Sequence, residues 1–474
     1  MSDLAYLTIA EAAPLIRARK LSPVEFTSAL LARIAATDSI YHAYIAVTED
    51  LAIAQANAAE AEIMRGEWRG PMHGVPYAAK DIFDVAGMPT TCHSKLRAGH
   101  RAFSDATAIV KLREAGAVLL GKLALHEFAT GGPTRELPWP AACNPWNLDL
   151  HPGGSSSGSG VAVAIGTAPG ALGTDTGGSV RNPATCCGVI GMKPTFGTVS
   201  RAGVFPLAFS LDHVGPLTRT VEDNAIMLQA IAGHDPADPA SSPRPPPDFT
   251  REINAGVKGL RIGLIAHFYD KDMIAAPEQS AAIAAAADVL RRLGADVRAI
   301  HLSSLQRYAE CGRTILMAEA FAVHERDLSE RPQDYAAITR RKLLPGAFIP
   351  AVDYVKAQQL RTALCAEFAA AMRDLDAAIT LSSHDMPCRI DDAEAIANTY
   401  ERQIRMPFNV TGTPAIAVPT GFTATGLPTA MQIVGRAFAD PMVYRVAQAY
   451  CEATGWCERH PVMEMVEQET SLVG

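Results

Sequence analysis

The sequence predicts an α/β fold. Short apolar runs that read as strands alternate with Ala-rich stretches that read as helices, the order that builds strand–helix units. Hydrophobic residues make up 48% and charged residues 19% of the 474, a globular composition. No internal repeat and no heptad pattern compete with that reading. A chain this long could form two or three domains, but single large α/β domains also reach this size.

The elements follow in order. Leu7 to Ala36 reads as two amphipathic helices, the second opened by Ser22 as N-cap, Pro23 at the first helical position and Glu25 at the third. Tyr44 to Val47 is a short strand, and Leu51 to Arg65 an Ala-rich helix. Gly74 to Asp81 is an extended apolar segment ending in two charges, Lys80 and Asp81. Ala106 to Ala115 is helical, Gly116 ends it, and Ala117 to Gly121 is a buried strand. Val189 to Met192 and Ile262 to Ile265 are further strands. Asp235 to Pro247 is Pro-rich, hence an extended, exposed loop. Beyond it come helices over Ser280–Leu293, Val352–Leu375 and Pro441–Cys451, and strands over Ala415–Val418 and Ala430–Val434.

Bulk properties exclude several function classes. The net charge is −8, and short basic groups such as Arg340-Arg341-Lys342 read as solvated helix faces. A nucleic-acid surface needs clustered cations instead. No apolar run reaches the ~20 residues of a membrane span, and Met1 to Lys20 lacks the pattern of a signal peptide. Nine cysteines, an odd number without a Cys-x-x-Cys pair, suggest reduced thiols and a cytoplasmic location.

Two glycine–serine clusters carry the chemistry. The first is Gly153-Gly154-Ser155-Ser156-Ser157-Gly158-Ser159-Gly160, and the second Gly173-Thr174-Asp175-Thr176-Gly177-Gly178-Ser179-Val180-Arg181. Glycine allows positive φ and close approach of a ligand to backbone N–H groups. A flexible linker is disfavoured by the apolar run between the clusters. A phosphate loop would need a Lys beside the closing Ser or Thr, and a dinucleotide fingerprint a third glycine at Val163. Gly154-x-Ser156-x-Gly158 matches the nucleophile elbow, but the preceding Asn144 to Pro152 makes a poor core strand. His126-Glu127 lacks the second histidine of a zinc motif, since Thr130 stands there. A serine nucleophile needs a base. Lys80 could serve if burial keeps it neutral; on the residues alone, a salt bridge with Asp81 is the simpler reading. Trp139, Phe348 and His384 are candidates to line a pocket, with ordinary packing the simpler reading for each.

The sequence resembles the amidase signature family over essentially its whole length. The matching residues are Gly74-Val75-Pro76 with Lys80-Asp81, Gly153-Gly154-Ser155-Ser156, and Gly173-Thr174-Asp175 with Gly177-Gly178-Ser179 and Arg181. Asn144-Pro145-Trp146-Asn147, Lys193-Pro194-Thr195, Ser210 to Pro216, and Phe408-Asn409 with Gly412 and Pro414 also match. Lys80 precedes Ser155 by 75 residues and Ser155 precedes Ser179 by 24, as in the family. One departure is Ser157-Gly158 where the family usually has Gly-Gly.

The resemblance implies a single compact domain with a large mixed central β-sheet covered by helices on both faces. Within it, residues 1–65 would form an N-terminal helical segment, 66–233 the signature core, 234–250 a Pro-rich surface loop, and 251–474 the remainder with the variable pocket elements. It further implies a Ser–cis-Ser–Lys triad: Ser179 as nucleophile, Ser155 as relay on a cis peptide bond, and Lys80 as base. Backbone N–H groups of Thr176, Gly177, Gly178 and Ser179 would form the oxyanion hole. Ser156, Asp175 and Arg181 would brace the loop, and Thr130, Gly131 and Gly132 would approach the substrate. No metal or organic cofactor is required. The implied activity is hydrolysis of a small-molecule amide, with no nucleic-acid or membrane partner and a homodimer as one option for assembly.

Two alternatives belong to the same family, a carbamate or urea-type hydrolase and the A subunit of a glutamine-dependent tRNA amidotransferase. The latter carries an acidic glutamine-binding residue just ahead of its Pro-x-Asn segment, where this chain has Arg402 and Arg405. A non-catalytic protein that has kept the fold is disfavoured by the intact Lys80, Ser155 and Ser179.

Overall fold

Eleven strands form one mixed sheet in the computed structural model, which describes residues 4–402 and 404–463. They are β1 (Tyr44–Val47), β2 (Pro76–Lys80), β3 (Val118–Leu123), β4 (Gly170–Asp175), β5 (Ile190–Lys193), β6 (His213–Thr218), β7 (Arg261–Leu264), β8 (Asp296–Ala299), β9 (Ala377–Leu381), β10 (Ala415–Phe422) and β11 (Pro428–Val434). Their spatial order is β1-β3-β2-β4-β6-β5-β10-β11-β9-β7-β8. β2 runs parallel to both β3 and β4, while β4–β6, β5–β6, β5–β10 and β10–β11 are antiparallel. The sheet is continuous across the Pro-rich stretch, because β7 pairs with β9 and β9 with β11.

Every residue of β2, β3, β4, β6, β9 and β11 is buried. Such strands have helices over both faces, which is why they read as unbroken apolar runs rather than alternating ones. The helices Ser157–Ala164 and Arg181–Cys187 pack on β4 and β5, and Val221–Ile231 and Asp440–Thr454 on β6 and β10. Both glycine–serine clusters therefore end in helices pressed against the sheet centre.

The N-terminal helices form as the sequence indicates, over Ile9–Arg17 and Pro23–Tyr41. Ser22 Oγ accepts from the Val24 and Glu25 amides at 3.1 and 3.2 Å. The Pro-rich stretch differs from expectation at its ends. Residues 243–248 are exposed, but Asp238, Ser241 and Phe249 are buried. The Arg201 guanidinium holds Asp238 at 3.0 Å, so this loop is fastened to the core at both sides. The longest helix, Leu305–Glu330, has no counterpart among the sequence-derived elements.

A tight contact offers a test of the sheet centre. A Cβ on Gly215 would stand 1.9 Å from the Met192 carbonyl oxygen. Gly215→Ala should therefore force β5 and β6 apart at a cost of about 1–3 kcal/mol, read as a lower midpoint of chemical unfolding. An unchanged midpoint would show that this pairing gives way freely.

Candidate active site

The site starts at the end of β2, where Lys80 is fully buried. Its Nζ lies 2.8 Å from Ser155 Oγ and 2.9 Å from Thr174 Oγ1, both within hydrogen-bond reach. Burial lowers the Lys80 pKa to about 7, although the Asp212 and Asp175 carboxylates pull it upward. A sizeable fraction of the side chain is thus a neutral amine near neutral pH.

The Lys80–Asp81 salt bridge does not form. Successive residues of a strand point to opposite faces, and Asp81 turns to Lys122, whose Nζ lies 2.6 Å from Asp81 Oδ1. Asp81 Oδ2 also accepts from the Thr91 amide and hydroxyl, at 2.9 and 2.5 Å. Lys80 is left to the hydroxyls of Ser155 and Thr174.

The first cluster brings Ser155 to Lys80. The Gly154–Ser155 peptide bond is cis, and the Ser155 carbonyl accepts from the His126 amide at 3.0 Å. Glycine is required at position 154, because a Cβ there would stand 2.1 Å from His126 Cε1. Ser156 does not reach toward Lys80. Its Oγ lies 3.3 Å from both the amide and the carbonyl of Thr174, so it ties the helix Ser157–Ala164 to β4.

The second cluster is shaped by a buried ion pair. Asp175 and Arg181 are both inaccessible to solvent, with Arg181 Nη2 2.9 Å from Asp175 Oδ1 and Nε 3.0 Å from Oδ2. The same carboxylate accepts from the amides of Gly178, Val180 and Arg181 at 2.8, 3.2 and 3.4 Å, and from Asn409 Nδ2 at 2.9 Å. Burial pushes its pKa up, but Arg181, Lys193 and the Asn409 hydrogen bond together hold it well below the usual carboxylate range. Ser179 sits inside this wrapped turn, and its carbonyl accepts from the Ser156 amide at 3.2 Å.

That wrapping corrects one expectation. The Gly178 N–H points at Asp175 and is removed from the set of oxyanion donors. The amides of Thr176, Gly177 and Ser179 make no hydrogen bond among the described residues. Gly178 has φ +127, and a Cβ on it would meet Arg405 Nε at 2.5 Å.

Ser155, Ser179, Thr176 and Gly177 open into a cavity of about 530 Å3. Thr130 and Gly131 line it as expected, but Gly132 does not. A Cβ on Gly132 would meet Ile338 at 2.6 Å, so this residue packs between loops instead. Trp139, Phe348 and His384 also lie elsewhere. His93 bonds the Trp139 carbonyl at 3.1 Å, Phe348 is exposed, and His384 sits between the Arg402 and Phe268 carbonyls.

Several lining residues have no signal in the sequence. His126 faces the cavity from the turn after β3, and burial holds its imidazole well below the ordinary pKa. Leu316 and Met317 come from the helix Leu305–Glu330. Lys342, expected from the sequence to sit on a solvated helix face, instead turns to the cavity: its Nζ donates to the Gly131 carbonyl at 2.7 Å, and burial lowers its pKa to about 8. These residues meet only through tertiary packing. Among the described residues, no group of three or more His, Cys, Asp and Glu side chains is placed to hold a metal ion.

The Amidase family model matches residues 25–444. The chain belongs to the amidase signature family. It is 38% identical to the A subunit of the glutamyl-tRNA(Gln) amidotransferase of Roseiflexus sp. strain RS-1, over 97% of this chain and 99% of that protein. It is 40% identical to an amidase of Pseudomonas putida over the same shares of the two chains. Its fold superimposes on a chain from the vestigial protein complex that reveals the evolutionary origins of an s-triazine catabolic enzyme. That match has a TM-score of 0.89 and 32% identity over 94% of this chain and 98% of that one. Membership makes this chain an enzyme that acts on amide C–N bonds, and its single compact domain with a large mixed sheet is the family fold.

The Asp175–Arg181 pair yields a direct test of the loop. Asp175→Asn keeps the shape but leaves the Arg181 charge buried without its carboxylate. Removing one partner of such a pair costs about 3–5 kcal/mol, read by urea unfolding. Turnover of amide should fall by about two orders of magnitude, the loss that follows a displaced oxyanion donor. Wild-type stability and turnover would show that the pair does not shape the loop.

Proposed function

We propose that this chain is a serine amidohydrolase of a small-molecule amide, working through an acyl-enzyme on Ser179. The observation that carries this reading is the fully buried Lys80, lowered to a pKa of about 7 and 2.8 Å from Ser155 Oγ. Neutral Lys80 takes the Ser155 proton as Ser155 takes that of Ser179, and Ser179 Oγ attacks the amide carbonyl. Negative charge develops on the carbonyl oxygen and is met by the N–H groups of Thr176, Gly177 and Ser179. Such preorganised donors are each worth about 3–4 kcal/mol in the transition state. The C–N bond then breaks as Ser155 returns a proton to the leaving nitrogen and Lys80 reprotonates Ser155. Water, deprotonated through the same relay, attacks the Ser179 ester and releases the carboxylic acid. A carbamate or urea-type bond would pass through the same steps.

A second reading, the A subunit of a glutamine-dependent tRNA amidotransferase, is favoured by the names of its relatives. Those of Roseiflexus, Chloroflexus and Geobacter matched at 37–38% identity all carry that name. In that reading the same acyl-enzyme forms from glutamine, and the ammonia passes to a partner protein. Against it stands the segment before Pro407. Arg402 Nε is paired with Asp385 at 2.7 Å, and Arg405 lines the cavity. Neither supplies a carboxylate for the glutamine ammonium.

The two readings separate in an ammonia-release assay of the isolated chain, with Ser179→Ala as the blank. Hydrolysis of simple amides without partners is expected. Activity confined to glutamine and dependent on the other amidotransferase chains would overturn the stand-alone reading.

The pH profile tests the base. Lys80 must be neutral to accept a proton, and burial lowers its folded-state pKa to about 7. The value of kcat/KM should therefore rise with pH through about 7 and level off above it. Lys80→Ala should abolish that inflection and lower turnover by at least about 10³-fold, a loss on the scale of general-base catalysis. A flat wild-type profile between pH 6 and 9 would contradict the assignment.

A further inference from the structure

Asp212 stands opposite Thr176 by strand register. β4 pairs antiparallel with β6 so that Thr174 faces Val214 and Asp175 faces His213. One step further along, the same register brings Thr176 against Asp212. Alternation places Thr176 on the side of Thr174, whose hydroxyl lies 2.9 Å from Lys80 Nζ. The contact that results is short, with Thr176 Oγ1 donating to Asp212 Oδ1 at 2.5 Å. The carboxylate also accepts from the Leu207 amide at 2.9 Å and from the Ala208 amide at 3.1 Å. These partners are all donors, the set that an ionised carboxylate takes.

Asp212 joins two walls of the catalytic cavity from behind. Thr176 and Leu207 line that cavity, and Asp212 lines a second one of about 190 Å3 that meets it at Ala129, Thr176 and Leu207. The carboxylate therefore ties the turn that leads to Ser179 to the loop that carries Leu207. It also acts on Lys80 through its charge. Burial lowers the Lys80 pKa, and Asp212 opposes it most, ahead of Asp175 and Cys92. Asp175 is already paired with Arg181 at 2.9 Å. Burial pushes the Cys92 thiol up and holds the His126 imidazole, a further neighbour of Lys80, well below its ordinary value, so neither is charged near neutral pH. Burial also raises the Asp212 carboxyl, against the hydrogen bonds from Thr176, Leu207 and Ala208 and the charge of Arg201. That guanidinium is held by Asp238 at 3.0 Å.

We propose that Asp212 is a positioning residue for the amide reaction, fixing the Thr176 turn through its hydroxyl and setting a negative charge in the surroundings of Lys80. This rests on the amidohydrolase reading above and adds a residue that acts through Thr176 and Lys80 rather than on the substrate. The two arms come apart by substitution. Asp212→Asn keeps an oxygen for the Thr176 hydroxyl and removes the charge. Thr176→Val removes the hydroxyl and leaves the charge. A carboxylate stabilises the protonated amine, so its loss moves the Lys80 titration to lower pH.

The probe is a fluorophosphonate, which reports the nucleophile whatever amide is the substrate. Ser179 Oγ forms the P–O bond, fluoride leaves with the P–F electrons, and the serine proton passes through Ser155 to Lys80. The labelling rate of the wild type should rise with pH through about 7. In Asp212→Asn that inflection should move down by at least about half a pH unit, a modest shift for the loss of one nearby charge. In Thr176→Val the plateau rate should fall at least about tenfold as the oxyanion turn loosens, with the inflection unmoved. Thr176→Ser should recover most of that loss. If Asp212→Asn does not fold, the two Thr176 variants still test the hydrogen bond. An unmoved inflection in folded Asp212→Asn, or a wild-type plateau in Thr176→Val, would overturn the proposal and leave the amidohydrolase reading standing. A wild type that is not labelled on Ser179, or is labelled without an inflection, would defeat that reading and the proposal with it.

Discussion

The Asp175–Arg181 ion pair is the constraint on which the rest of the site depends. Both groups lie at the sheet centre without solvent, so each would be costly alone. Together they are satisfied as three amides of the loop that carries Ser179 turn inward onto one carboxylate. Arg181 spends its remaining donors on Gln432 of β11, Asn409 and the Arg405 carbonyl, at 2.5, 2.6 and 3.0 Å. One buried charge pair thereby fixes the loop that carries Ser179 to β4 on one side and to the C-terminal third of the chain on the other. In the proposed mechanism it also decides which amides remain to meet the developing oxyanion.

Three lysines are buried in the same sheet, and each meets burial differently. Lys122 is neutralised by Asp81 at 2.6 Å. Lys193 donates to the carbonyls of Thr413 and Pro194 at 2.5 and 3.1 Å, and burial holds its pKa well below the ordinary value. Lys80 has only hydroxyl neighbours and distant carboxylates. The position of Asp81 matters most here. One residue on from Lys80, it points away to Lys122, and the site gains an amine that burial lowers to a pKa of about 7 instead of an ion pair. In the proposed mechanism the base is therefore produced by strand geometry as much as by burial.

Much of this was legible in the sequence. The alternation of runs indicated an α/β fold, and the Ser22 cap and the strands at Tyr44–Val47 and Ile190–Lys193 fall where the residues suggest. The unusual glycine content marked both loops, because glycine at 154 leaves room for His126 and at 178 for Arg405. The helix Ser157–Ala164 was hidden, since a helix buried on all sides has no polar face to give it a period. The engagement of the Gly178 amide by Asp175 was also hidden, since both readings use the same residues. The basic residues of the cavity wall could not be placed from the sequence for a different reason. Arg313, Arg341 and Arg405 are scattered along the chain, and only the packing of the helix Leu305–Glu330 over the loops makes them neighbours.

The central claim is that Ser179, relayed through Ser155 to Lys80, carries the acyl group. Rapid acid quench during turnover, followed by peptide mass spectrometry, locates that group. The account predicts an acyl mass on the peptide containing Ser179 and none on the peptide containing Ser155. An acyl group on Ser155, or turnover with no covalent intermediate on either serine even when hydroxylamine traps esters, would contradict it.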